Sequence, residues 1–229
     1  MKTIGILGGL TWHSSWEYYR IINEVIAKKC GGRNSANIVL ISINFEEFYQ
    51  LQANYKIAEI NSLVENNLAK LADAGADFVI ISSNTAHKYL RTEALTLPFL
   101  HIAHAAATYV LQQNITRIGL LGTSITCSET FFISHLEKEN LTVLTPAETK
   151  LSNLNAVIFD ELAAGIISKG AMELMLELFI EFKANGAQAV LLACTELIMI
   201  AKKLELPLPY FDTAEIHAVA AANYAIEAL

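Results

Sequence analysis

Two similar α/β lobes, each a mainly parallel sheet flanked by helices with an active site in the cleft between them, are predicted by three observations. Strand-like apolar runs alternate along the chain with longer stretches of helical periodicity. "GADFVIISSNTAH" at 75–87 superimposes on "GAQAVLLACTELI" at 186–198 at an offset of 111 residues, and the same offset carries Leu97-Pro98-Phe99 onto Leu208-Pro209-Tyr210. "IGILGG" at 4–9 matches "IGLLGT" at 118–123 at an offset of 114. A chain that repeats itself once in this way builds two like halves.

The strand-like runs are 3–7, 37–43, 77–82, 117–121, 141–144 and 188–193. Helical periodicity is clearest in Trp16 to Cys30, Ala58 to Asp73 and Met172 to Lys183, with Gly75 and Gly186 as the stops of the two later segments. The first lobe is expected over 1–98, a connection over 99–116 and the second lobe over 117–229, with the final segment, Ala218 to Leu229, able to cross back onto the first lobe. "LQQNITR" at 111–117 is no Pro/Ser linker, so the lobes are expected to be held closely.

With 229 residues, 53% hydrophobic and 17% charged, the chain can fill such cores. A net charge of −7 without any Lys/Arg run excludes a nucleic-acid-binding surface. The glycine-rich apolar start, Ile4 to Leu10, is a first strand rather than a signal segment, and no uninterrupted apolar window is long enough for a membrane span. Three cysteines, Cys30, Cys127 and Cys194, without CxxC spacing point to a reducing cytoplasm.

Ligands of parallel α/β sheets bind beyond the carboxyl ends of the strands, where Ser83-Asn84-Thr85 and Cys194-Thr195-Glu196 stand at matching repeat positions. Each is read as a helix start whose N–H groups favour a small carboxylate. A thiol at a helix N-terminus is expected to have its pKa pulled down, making Cys194 a proton acceptor or nucleophile; the bland alternative is a small apolar residue ending a strand. For Ser83-Asn84-Thr85 the bland alternative is an ordinary cap. Gly8-Gly9 does not complete GxGxxG and is read as a close backbone approach to a small ligand. Cys127 is read as packing, His87 and His217 as partners of helix or loop groups, and the histidines show no metal-ligand spacing.

The segments "IGILGGLTWHSSWEYYRIIN" at 4–23, "NFEEF" at 44–48, "SNTAHK" at 83–88, "LPFLHIAHA" at 97–105, "IGLLGTSIT" at 118–126, "ACTEL" at 193–197 and "LPYFDTAEIHA" at 208–218 run in one order over almost the whole chain. In them the sequence resembles the cofactor-independent aspartate/glutamate racemases, in the aspartate racemase branch. The resemblance implies a homodimeric, two-lobed enzyme that inverts the α-carbon of a small amino acid without pyridoxal phosphate or metal. One thiolate removes the α-proton and a second thiol protonates the opposite face. It carries the catalytic roles onto Cys194 and Ser83, and substrate binding onto Leu10 in the Gly8-Gly9-Leu10 loop, Gln52, Asn84, Thr85 and Thr195. Lys150 is the candidate for the side-chain carboxylate.

One departure stands out. The family pattern has cysteine at both strand ends, and position 83 here is serine, a far weaker acid. Some members of the branch have threonine there. Two alternatives follow from a single thiol: a decarboxylase or isomerase of the same superfamily, or an amino-acid-binding protein that has lost the chemistry.

Overall fold

The computed structural model describes residues 1–91 and 95–227. The end of the final segment expected to reach Leu229 lies outside the described residues. The chain forms two compact units, one of Met1–Ile102 with Ala214–Leu229, the other of Ala103–Thr213.

In the first unit strands β1 (Ile4–Gly8), β2 (Ile38–Ser42) and β3 (Phe78–Ile81) form a parallel sheet in the order β2-β1-β3. Helices α1 (Trp12–Cys30), α2 (Phe45–Ala53) and α3 (Ile57–Asp73) belong to it. Thr11 caps α1 by accepting the Ser14 N–H, and Tyr18, Ile22 and Ile26 form its buried stripe. In α3 the stripe is Ile60, Val64, Leu68 and Leu71. Side chains alternate across a strand, so Ile4 and Ile6 pack with the α1 stripe while Leu7, Val79 and Ile81 pack with the α3 stripe. A sheet with helices on both faces results.

The second unit contains α4 (Ile102–Gln112), which starts at its border, and β4 (Arg117–Gly122), α5 (Ser124–Ser128), α6 (Thr130–Lys138) and β5 (Thr142–Leu144). There follow α7 (Glu148–Ala156), running into a π-helical turn at Val157–Glu161, and α8 (Lys169–Ala184), β6 (Ala189–Ala193), α9 (Leu197–Ala201) and β7 (Tyr210–Asp212). The sheet is parallel in the order β5-β4-β6-β7. Met175, Leu178, Phe179 and Phe182 of α8 pack with Val190 and Leu192 of β6. Helix α10 (Thr213–Ile226) closes the chain, and its Ala214, Ala218, Ala221, Ala222 and Ala225 belong to the core of the first unit with Ile4 and Ile6. Small side chains there let the helix lie close against the sheet.

The repeat is visible in the pairing itself. Gly5 pairs with Val79, and Gly119 with Val190. Val79 pairs with Phe99 through an isolated parallel bridge, and Val190 with Tyr210 in β7. The Val79 N–H donates to Pro98 O at 2.9 Å, as the Val190 N–H does to Pro209 O at 2.9 Å. Strand β7 is an addition to the six runs read from the sequence: three residues just after Pro209 are too few to show alternation. Gly75 (φ 87°) and Gly186 (φ 81°) end α3 and α8 in the left-handed region, as their positions predict.

Gly9 has a packing role inside the first unit. At φ 86° its missing side chain makes room for the Ile43 backbone, which a Cβ would overlap, and its N–H donates to Ser15 Oγ at 2.8 Å. The close approach is internal to the first unit. Among the described residues, no helix is long and apolar enough to cross a membrane.

Candidate active site

In the first unit Ser83 follows the end of β3, which is anchored by a buried serine cluster. The Ser82 N–H donates to Leu7 O at 3.0 Å, Ser14 Oγ donates to Ser82 O at 2.7 Å, and Ser15 Oγ lies 3.4 Å from Ser82 Oγ. Ser83 Oγ accepts the Ala86 N–H at 3.4 Å, a bond that leaves its hydroxyl hydrogen uncommitted. Thr85–Tyr89 then form a short 3-10 helix. His87 Nδ1 lies 2.7 Å from the Ser83 carbonyl oxygen, and its Nε2 accepts the Ile102 N–H at 3.4 Å. Those partners fix a neutral ring with the proton on Nδ1.

Gln52 joins this turn by donating from Nε2 to the Tyr89 hydroxyl at 3.1 Å. Leu10 is brought to the same place but is 7% exposed, its side chain packed with Phe48, Ala86 and Tyr89. Leu10 can therefore offer backbone rather than side chain. Asn84 is buried and Thr85 partly so.

A second buried histidine stands behind the turn. His217 of α10 accepts from the Tyr18 hydroxyl at Nδ1 (2.9 Å) and donates from Nε2 to Leu100 O (2.8 Å). Burial pushes its pKa down to about 3. His87 and His217 thus satisfy loop and helix groups, as read from the sequence.

In the second unit Cys194 follows the end of β6. Its Sγ donates to Glu196 Oε2 at 3.0 Å, and Thr195 Oγ1 donates to the same oxygen at 2.8 Å. The expectation of a lowered thiol pKa is corrected here. Burial first, then the Glu196 carboxylate and Asp212, hold the thiol well above its ordinary value. The helix that follows is α9, of five residues, too short for a dipole to offset them. At neutral pH Cys194 carries its proton.

The remaining candidates separate cleanly. Cys127 is 2% exposed, directs Sγ to Leu120 O and has its pKa pushed up to about 12, so it is a packing residue. Lys150 ion-pairs with Glu177 and Glu181, each at 2.7 Å, and its charge is already used. Sequence reasoning gave no role to Glu196 as the partner of the thiol, nor to Ser14 and Ser15. The signal for Glu196 was its place two residues after a strand-end cysteine. Ser14 and Ser15 had no signal beyond being polar on the buried side of a helix.

The model of the Asp/Glu/Hydantoin racemase family matches residues 7–221. This chain belongs to that family. Its members include PLP-independent isomerases of amino acids, the enzyme class of this chain. A Yersinia pestis structure described as a candidate Asp/Glu racemase is 38% identical, with a TM-score of 0.93, covering 99% of this chain and 100% of that one. An aspartate racemase homologue from Pyrococcus horikoshii OT3 is 30% identical, with a TM-score of 0.84 and coverage of 99% and 100%. Arylmalonate decarboxylase shares the fold at 16% identity and a TM-score of 0.51, over 96% of this chain and 92% of that one.

Proposed function

We propose that this chain interconverts L- and D-aspartate, glutamate or both by α-proton transfer, with Cys194 as general base and acid on one face of the α-carbon and Ser83 serving the other. The observation that supports this reading most is the matched placement of Ser83 and Cys194 at the ends of β3 and β6, strands whose pairing repeats at the 111-residue offset. A reaction with mirror-image substrates calls for proton carriers on opposite faces, and two like halves supply them. In this reading Asn84, Thr85 and Thr195 hold the substrate carboxylate, and Gln52 and the Leu10 backbone also bind substrate. A homodimer, as the family resemblance implies, is part of the proposal.

The two enantiomers have equal free energy in water, so kcat/KM is equal in the two directions. A slow Ser83 step therefore slows both. Exchange of the α-hydrogen on the enantiomer facing Cys194, the L form by family resemblance, remains faster than inversion. The test is proton NMR of each enantiomer in D2O with chiral chromatography of the products. Loss of the L α-proton signal ahead of D product is expected; no exchange on either enantiomer of aspartate or glutamate overturns the proposal.

The single thiol at the paired positions favours one second reading, a decarboxylase or isomerase needing proton delivery to one face only. Release of carbon dioxide or an altered carbon skeleton would identify it. Thermal stabilisation by an amino acid without any exchange would instead identify a silent binding protein.

A further inference from the structure

Cys194 holds a proton that it must lose before it can take another. Its surroundings keep the thiol protonated, and a thiol is no base. A group able to receive that proton must lie within hydrogen-bond reach. Glu196 Oε2 is 3.0 Å from Sγ.

Three features argue that this contact is more than a local cap. Glu196 stands at the N-cap of α9 in the αR conformation and makes no side-chain cap bond, so its carboxylate is not spent on the helix. The Thr195 hydroxyl donates to the same oxygen at 2.8 Å, anchoring it beside the sulfur. Thiol, hydroxyl and carboxylate also come from three consecutive residues between β6 and α9, so local backbone sets their spacing. In the other half the matching position is Thr85, and no carboxylate stands there.

We propose that Glu196 is a catalytic residue, taking the Cys194 proton onto Oε2 so that Sγ can act as base and returning it when Sγ has acted as acid. This rests on the racemase reading above. The S–H bond breaks with its electron pair left on sulfur, and an O–H bond forms at Oε2. The thiolate pair then takes the α-hydrogen as a proton, leaving the C–H pair on the α-carbon. Protonation of the other face from the Ser83 hydroxyl completes inversion. The resting state returns when Ser83 takes a proton from water and Glu196 gives one up. In the reverse direction the thiol protonates the carbanion, and the resulting thiolate is reprotonated from Glu196. The charged groups acting on Sγ are Glu196 itself and Asp212 at the end of β7. Thr195 acts as a positioning residue.

The experiment is α-hydrogen exchange of L-aspartate and L-glutamate in D2O across pH, for the wild-type chain, Glu196→Gln, Glu196→Asp and Glu196→Ala, with melting curves as the folding control. Glu196→Gln is expected to lower the exchange kcat by about 10²–10⁴-fold with KM changed only a few-fold. Its rate should then climb with pH, because hydroxide must remove the thiol proton. Glu196→Asp should fall between, and added formate should restore part of the rate to Glu196→Ala. If Glu196→Gln keeps its rate within about threefold and an unchanged pH profile, the inference is overturned and the racemase reading stands. Wild-type protein without exchange on any acidic substrate overturns both. If Glu196→Gln does not fold, Glu196→Asp decides: an unchanged rate and profile overturn the assignment.

Discussion

The two strand-end turns are built on one plan and chemically tuned in opposite ways. After β3, Ser83 has its carbonyl held by a neutral histidine and its hydroxyl oxygen held by a backbone N–H. After β6, Cys194 has a carboxylate on its thiol, two residues along. A hydroxyl is a far weaker acid than a thiol, yet the carboxylate stands beside the thiol. The difference teaches that repeat symmetry carries over the scaffold, meaning strand register and turn position, and not the acid-base equipment. One half sets a carboxylate against its strand-end side chain, and the other a histidine and a backbone N–H around its serine.

The sharpest way to break this comparison is to remove one carrier at a time. Cys194→Ala is expected to lower α-hydrogen exchange on the L form by about 10⁴-fold, while Ser83→Ala abolishes inversion and leaves L exchange running. NMR in D2O reads both, and equal losses in the two variants would sink the asymmetry. Ser83→Cys, which restores likeness between the halves, should raise racemisation by about tenfold or more in both directions with the ratio of kcat/KM values unchanged. Equal or lower rates would mean that the hydroxyl is already an adapted acid.

The buried histidine of the first unit sharpens the contrast through stability. His217 stays neutral in the folded chain down to about pH 3, whereas in the unfolded chain it takes a proton near 6.5. Between those values the unfolded state binds the extra proton, so stability falls as pH falls, by up to about 1.4 kcal/mol per pH unit from this group. Urea melts from pH 7 to pH 4 would show the slope, and a His217→Gln variant should flatten it. The smallest effect is expected at Lys150, which is far more exposed and already paired with Glu177 and Glu181. Lys150→Met should leave KM for aspartate and glutamate within about twofold, and a large rise would restore it as the side-chain anchor.

The sequence made the scaffold legible where the physics is local and periodic. Six strands, the three long helices and the glycine stops at Gly75 and Gly186 all follow from patterning that backbone geometry imposes. β7 was missed because three residues cannot display a period. At the candidate site, residue types were readable from the repeat, but their electrostatics were not. The thiol pKa moves up rather than down because burial and a neighbouring carboxylate outweigh a helix of only five residues, and neither burial nor helix length was visible in "ACTEL". The packing reason for glycine at position 9 was hidden in a similar way. Its neighbour is the Ile43 backbone, distant in sequence.

The chain passes from the first unit to the second between Ile102 and Ala103 and returns between Thr213 and Ala214, positions again 111 residues apart. Consequently the helix that follows the first repeat completes the second unit, and the helix that follows the second completes the first. During synthesis at roughly 5–20 residues per second, the face of Ile4, Ile6 and Phe78 waits on the order of ten seconds after Ile102 is made before Ala214 to Ala225 emerge to cover it. The first-born sheet is thus the last to be finished, and a nascent chain stalled before residue 214 should be a substrate for chaperones that hold exposed apolar surface.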